Sequence, residues 1–156
     1  HVDYWDHLGW RDPYASSQFS ARQRASAQRA NSRVIYTPQV QVNGRDFRGW
    51  GDRGAVARAL EAGGGPARAK LALEAMQAGA APWSIALKAE AAGETARGAG
   101  VYLALYESGL VSQVKAGENR GATLRHDFVV REWLGPLPLD ANGRLSDTRT
   151  LPARVD

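Results

Sequence analysis

The sequence predicts an α/β protein in two parts, an α/β portion followed by a β-rich, sandwich-like region. Three observations carry that expectation. Tyr36-Thr37-Pro38-Gln39-Val40-Gln41-Val42-Asn43-Gly44-Arg45 reads as a proline-bearing loop that enters a short strand and turns back at Asn-Gly. Asn-Gly between strand-like runs favours a type I′ hairpin, because both central residues must take positive φ. Helical composition with capping residues flanks this hairpin, and from Trp83 onward the apolar period changes from helical to two.

Taken in order, His1-Val2-Asp3-Tyr4-Trp5 reads as the end of a strand and Gly9 to Pro13 as a turn. Asp12 suits an N-cap and Pro13 a first helical turn, so a helix is expected from about Pro13 to Ala30, ending at Asn31-Ser32. Strands are expected over about 34–42 and 46–50, joined at Asn43-Gly44. Asp52 then caps a second helix, in which Val56, Ala59 and Leu60 share a face, and Gly63-Gly64-Gly65-Pro66 closes it. A shorter helix is expected from Ala67 to about Gln77, before Gly79 and Pro82.

Beyond Trp83 the alternation of Ile85, Leu87, Ala89 and Ala91 with polar neighbours predicts a half-buried strand. Val101 to Tyr106 is apolar on both faces, as a central strand would be. Val111 to Lys115 and Thr123 to Trp133 extend the β region, and Gly117-Glu118-Asn119-Arg120-Gly121 interrupts it with a tight loop. The expected divisions are 1–65, a connecting helical segment 66–82, a β-rich extension 83–135 and an irregular tail 136–156.

Composition narrows the function classes. The net charge of +4 is carried mostly by scattered arginines, a basic average rather than a basic patch, so nucleic acid is not the expected partner. No apolar run approaches the length of a membrane span. The absence of cysteine excludes disulfides, thiolate metal sites and cysteine nucleophiles within these residues. Neither a Gly-x-Ser-x-Gly elbow nor a Ser-His-Asp set is visible in the sequence.

Several segments together carry a resemblance: His1 through Pro13, Arg22-Gln23, Tyr36-Thr37-Pro38-Gln39, Gly117-Glu118-Asn119 and Val129-Val130-Arg131. From His1 to about Leu134 the chain resembles a bacterial thioredoxin-like family, domain of unknown function 1223. The resemblance implies that residues 1–65 are a partial thioredoxin-like core. It also implies that a strand, a Cys-x-x-Cys loop and a helix belong upstream of His1, so the chain reads as a fragment. With that strand missing, the strands at Trp5 and Val34 would lack a partner between them. The intact protein is then expected in the periplasm or secreted, exchanging thiols and disulfides with a protein or peptide substrate. A redox-inactive binding or assembly module is the alternative.

The candidate substrate-binding residues are Tyr36, Thr37 and Pro38, with Trp5 and Trp10. A cis-proline loop would offer the backbone N–H and C=O of Thr37 to an extended substrate, against the plainer reading of a turn proline opening an edge strand. Tyr4, Trp5, Trp10 and Tyr14 either line a cleft beside Pro38 or cap the core under the first helix. His1, Asp3, Asp6 and His7 are metal-ligand types without a metal-site spacing. Arg22, Arg24, Arg29 and Arg33 read as a solvated helix face, with anion binding as the alternative. No catalytic residue, metal or cofactor is assigned within this chain.

Overall fold

A computed structural model describes residues 1–153 as a mixed α/β protein with helices α1 (Ser17–Arg29) and α2 (Arg53–Ala62). The strands are β1 (Gln41–Val42), β2 (Arg45–Asp46), β3 (Ala69–Met76), β4 (Trp83–Ala91), β5 (Gly100–Glu107), β6 (Leu110–Gln113), β7 (Thr123–His126), β8 (Val129–Pro138) and β9 (Arg144–Leu151). Every strand pair among the described residues is antiparallel. The chain forms two compact units, one of His1–Gly65 with Gly109–Asp127, the other of Pro66–Ser108 with the chain from Phe128 onward.

In the first unit, α1 begins later than the sequence predicts. Ser16, not Asp12, is its N-cap, and the Ser16 hydroxyl accepts the N–H of Gln18 at 3.3 Å. The expected strand end at residues 1–5 is a loop entering a 3-10 turn over Asp6–Leu8. Polar bonds hold that loop: the buried Ser20 hydroxyl donates to Asp3 Oδ1 at 2.5 Å and accepts the Asp3 N–H at 3.1 Å. Ser20 thereby takes up the Asp3 N–H that a strand ladder would use.

The two strands expected over 34–42 and 46–50 shorten to β1 and β2, with Gln41 opposite Asp46 and Val42 opposite Arg45. Asn43 (φ 51°) and Gly44 (φ 75°) form the predicted turn. Asp52 caps α2 as expected, its Oδ1 accepting from the N–H groups of Gly54 at 2.8 Å and Ala55 at 3.2 Å. The β6–β7 hairpin belongs to this unit. Its connecting loop lays Gly117 (φ 78°) against Leu8 and Trp10, where a Cβ would stand only 3.2 Å from the Leu8 carbonyl oxygen.

The second unit packs a three-stranded sheet, β3-β4-β9, and a two-stranded sheet, β5-β8, around one core. Ile85, Leu87, Leu103, Leu137 and Leu151 form its buried centre, with Trp83, Val101, Leu105, Leu134 and Leu145 packed on it. The predicted alternation of β4 is observed: Ile85, Leu87, Ala89 and Ala91 are buried on one face.

Three sequence expectations fail in this unit. Ala67 to Gln77 is not a helix; Ala69–Met76 pairs with β4 across eight residue positions as β3. Its Ala, Leu and Glu residues favour helix intrinsically, but strand pairing overrides a weak local preference. The 136–156 segment is not irregular throughout, because Arg144–Leu151 pairs with the other edge of β4. Its register sets Asp147 opposite Leu87 and Arg149 opposite Ile85, and the two charges satisfy each other at 2.6 Å. Charges on that face hide the strand from a hydrophobic-pattern reading. Finally, β5 is not central: among the described residues it pairs with β8 alone, and Tyr102 and Tyr106 on its outer face are exposed. The 123–133 run also divides, where Phe128 takes φ 56° between β7 and β8.

Candidate functional site

The loop before β1 holds the predicted site residues Tyr36, Thr37 and Pro38, and the Thr37–Pro38 peptide bond is cis. Three side chains from elsewhere in the first unit anchor this loop. The Trp5 indole N–H donates to the Thr37 hydroxyl at 2.9 Å. Gln23, on α1, donates its amide N–H groups to the Tyr36 carbonyl at 2.8 Å and to Gln39 Oε1 at 2.9 Å, while its Oε1 accepts the Tyr4 hydroxyl at 3.0 Å. The Tyr36 hydroxyl donates to Asp46 Oδ1 at 2.5 Å, and the Gln39 amide reaches the same oxygen at 3.0 Å.

The bonded loop leaves several backbone groups open, those of Thr37 among them. Thr37 and Pro38 are exposed, and neither the N–H nor the C=O of Thr37 has a hydrogen-bond partner among the described residues. A backbone donor and acceptor side by side at a held position are what an extended chain needs to add itself by strand-like bonding.

Electrostatics around Tyr36 follow from the same contacts. The hydrogen bond to Asp46 pushes the Tyr36 phenol above its ordinary range. That bond, followed by the one from Gln39, holds the Asp46 carboxyl below its own. The Arg48 guanidinium lies over the Tyr36 ring at 4.7 Å from its centroid and reaches Asp46 Oδ2 at 3.4 Å.

The aromatic residues divide. Tyr4 and Trp5 meet edge to face, with centroids 5.4 Å apart, and Trp5 joins Thr37 while staying about half exposed. Trp10 lies against Gly117 and makes no hydrogen bond or ring contact with Tyr36, Thr37 or Pro38 among the described residues. Tyr14 packs against His1 and His126.

Those three rings form a second polar cluster. The His1 and His126 ring centroids are 5.2 Å apart, His1 Nδ1 is 2.5 Å from Asp12 Oδ2, and His126 Nε2 is 3.0 Å from the buried Ser112 hydroxyl. Partial burial pushes the Asp12 carboxyl up. The hydrogen bonds from His1 and the Tyr14 N–H, with the charges of His1 and His126, outweigh it and leave Asp12 below its ordinary value. Asp3 is engaged by Ser20 and Asp6 by Arg11, and no group of three or more such side chains among the described residues is arranged to hold a metal ion.

Gln23, Asp46 and Arg48 are the residues that sequence reasoning missed. Gln23 lies three residues after Ser20 on the α1 face that meets the N-terminal loop. A long amide there, with two N–H donors and a carbonyl acceptor, was the available signal.

The architecture defines a mixed α/β protein with antiparallel sheets and an anchored loop beside a short hairpin. The family model described as "Protein of unknown function (DUF1223)" matches residues 1–154, and the chain belongs to that family. No curated protein and no solved structure matches it. No helix among the described residues is long and apolar enough to cross a membrane.

Proposed function

We propose that this chain is the polypeptide-binding portion of a thioredoxin-like protein, and that the intact protein exchanges thiols and disulfides on the bound substrate. The observation that carries the binding reading is the open backbone of Thr37, held in place by Trp5, Gln23 and Asp46. An extended substrate would donate to and accept from Thr37 while its side chains rest on Pro38 and Trp5. The chemistry itself needs a thiolate, which a cysteine-free chain does not supply. In this reading the intact protein works in the bacterial periplasm or outside the cell, where disulfides persist.

The test of binding is an NMR titration of the chain with an unfolded, alkylated polypeptide. The Thr37 amide should shift and exchange more slowly, and Trp5→Phe should weaken the effect. Shifts confined to other surfaces would sink the reading.

The lack of cysteine favours a second reading, a redox-inactive binding or assembly module on the same platform. The coding sequence upstream of His1 separates the two. A Cys-x-x-Cys there, with disulfide reduction by the longer product, supports exchange; a cysteine-free extension supports the binding module.

A further inference from the structure

A cavity of about 420 Å³ opens in the first unit between α1 and the β1–β2 hairpin. Its lining brings Arg22, Ser26 and Arg29 from the helix together with Gln41, Arg45 and Asp46 from the hairpin. Arg22 and Arg29 are seven residues apart, two turns along one helix face and about 10 Å in rise. Ser26 lies between them, bonded to Gln41 with the Gln41 amide donating to its hydroxyl at 2.9 Å. Three arginines and one carboxylate therefore share this lining. That carboxylate is already engaged by Tyr36, Gln39 and Arg48. Arg29 and Arg45 form no ion pair among the described residues.

We infer that this cavity binds carboxylates of the substrate polypeptide, so that the platform prefers an acidic segment; the inference rests on the polypeptide-binding reading above. Asp46 connects the two places, since it lines the cavity and accepts the hydroxyl of Tyr36, the neighbour of Thr37. A chain extended over Thr37 has alternate side chains about 7 Å apart, a spacing that long arginine side chains can meet with two acidic groups. Guanidinium groups suit carboxylates because they can donate two parallel hydrogen bonds. Nucleic acid is the weaker fit, because no aromatic ring lines the cavity to stack a base. One effect opposes the inference: Arg29 lies in the last turn of α1, where the carbonyl end of the helix draws on its charge.

The experiment measures binding of two unfolded peptides of equal length, one with paired glutamates and one with glutamines in their place, by isothermal titration and amide shifts. The acidic peptide should bind about tenfold tighter in low salt, and the advantage should shrink as salt screens exposed charges. Arg29→Gln with Arg45→Gln should abolish the preference and leave the neutral peptide's affinity unchanged. Arg24→Gln, outside the lining, controls for net charge and should keep the preference. Equal binding of both peptides with Thr37 shifts overturns the inference and leaves the platform standing. Acidic-peptide shifts at Arg45 without any at Thr37 overturn the platform and, with it, the link drawn here. Tighter binding of a single-stranded oligonucleotide than of the acidic peptide overturns the choice of occupant.

Discussion

The side-chain amide of Gln23 donates to the carbonyl oxygen of Tyr36 at 2.8 Å, fastening α1 to the loop that presents Thr37. The same side chain bonds Tyr4 and Gln39, so one residue joins the N-terminal loop, the helix and the entry to the hairpin. Gln23→Leu keeps a comparable volume and removes all three bonds. The expected cost is about 1–3 kcal/mol, mainly from polar groups left without partners. Urea denaturation measures that cost, and faster amide exchange around Tyr36–Gln39 would locate it. An unchanged midpoint would show that water replaces Gln23 without loss.

Acid should weaken the first unit through Asp12. Its folded carboxyl lies below the ordinary value. Its stabilising contribution is therefore complete above the unfolded carboxylate pKa of about 4 and is lost as pH falls through the lower folded value. Asp12→Asn should flatten the decline of stability with falling pH in that window, with its largest loss near neutrality, where the Asp12 contribution is complete. Denaturation midpoints collected from pH 6 downward check the sign. A decline as steep in the variant as in the parent would assign the acid sensitivity to other groups.

Leu87 lies in the centre of the second unit's core at 6% exposure. Leu87→Ala should cost about 2–5 kcal/mol, the transfer energy of the lost atoms plus the cavity they leave. Thermal or urea unfolding followed through tryptophan fluorescence provides the measurement. A loss under about 1 kcal/mol would mean that the two sheets close over the gap.

Strand β3 should behave differently, although its register sets Leu71 and Leu73 on the same face as the buried residues of β4. Leu71 is 72% exposed, and among the described residues β3 has a partner on one edge only. Leu71→Lys is expected to change stability by under about 0.5 kcal/mol, as surface substitutions do. It should lower concentration-dependent self-association, because lysine on an open edge discourages pairing with another chain. Sedimentation velocity over a range of concentrations reads this directly, and unchanged association would exonerate the edge.

By itself, the sequence determined the features that depend on a few neighbouring residues. The Asn43-Gly44 turn needs positive φ at both positions, the Asp52 cap needs a short side-chain acceptor before α2, and β4 needs apolar residues at every second position. That a proline-bearing loop enters the hairpin was legible for the same reason; the Trp5–Thr37 bond, between residues 32 apart, was not. The surroundings of Trp10 were not legible, because they include the Gly117 loop far along the chain. Tertiary structure alone decided that Ala69–Met76 and Arg144–Leu151 are strands. Local propensity favours a helix for the first and the pattern is obscured by Asp147 and Arg149 in the second, yet β4 offers each an edge of unpaired backbone groups. Pairing satisfies those groups, and a propensity difference of a few tenths of a kcal/mol per residue, about the usual spread, does not outweigh it.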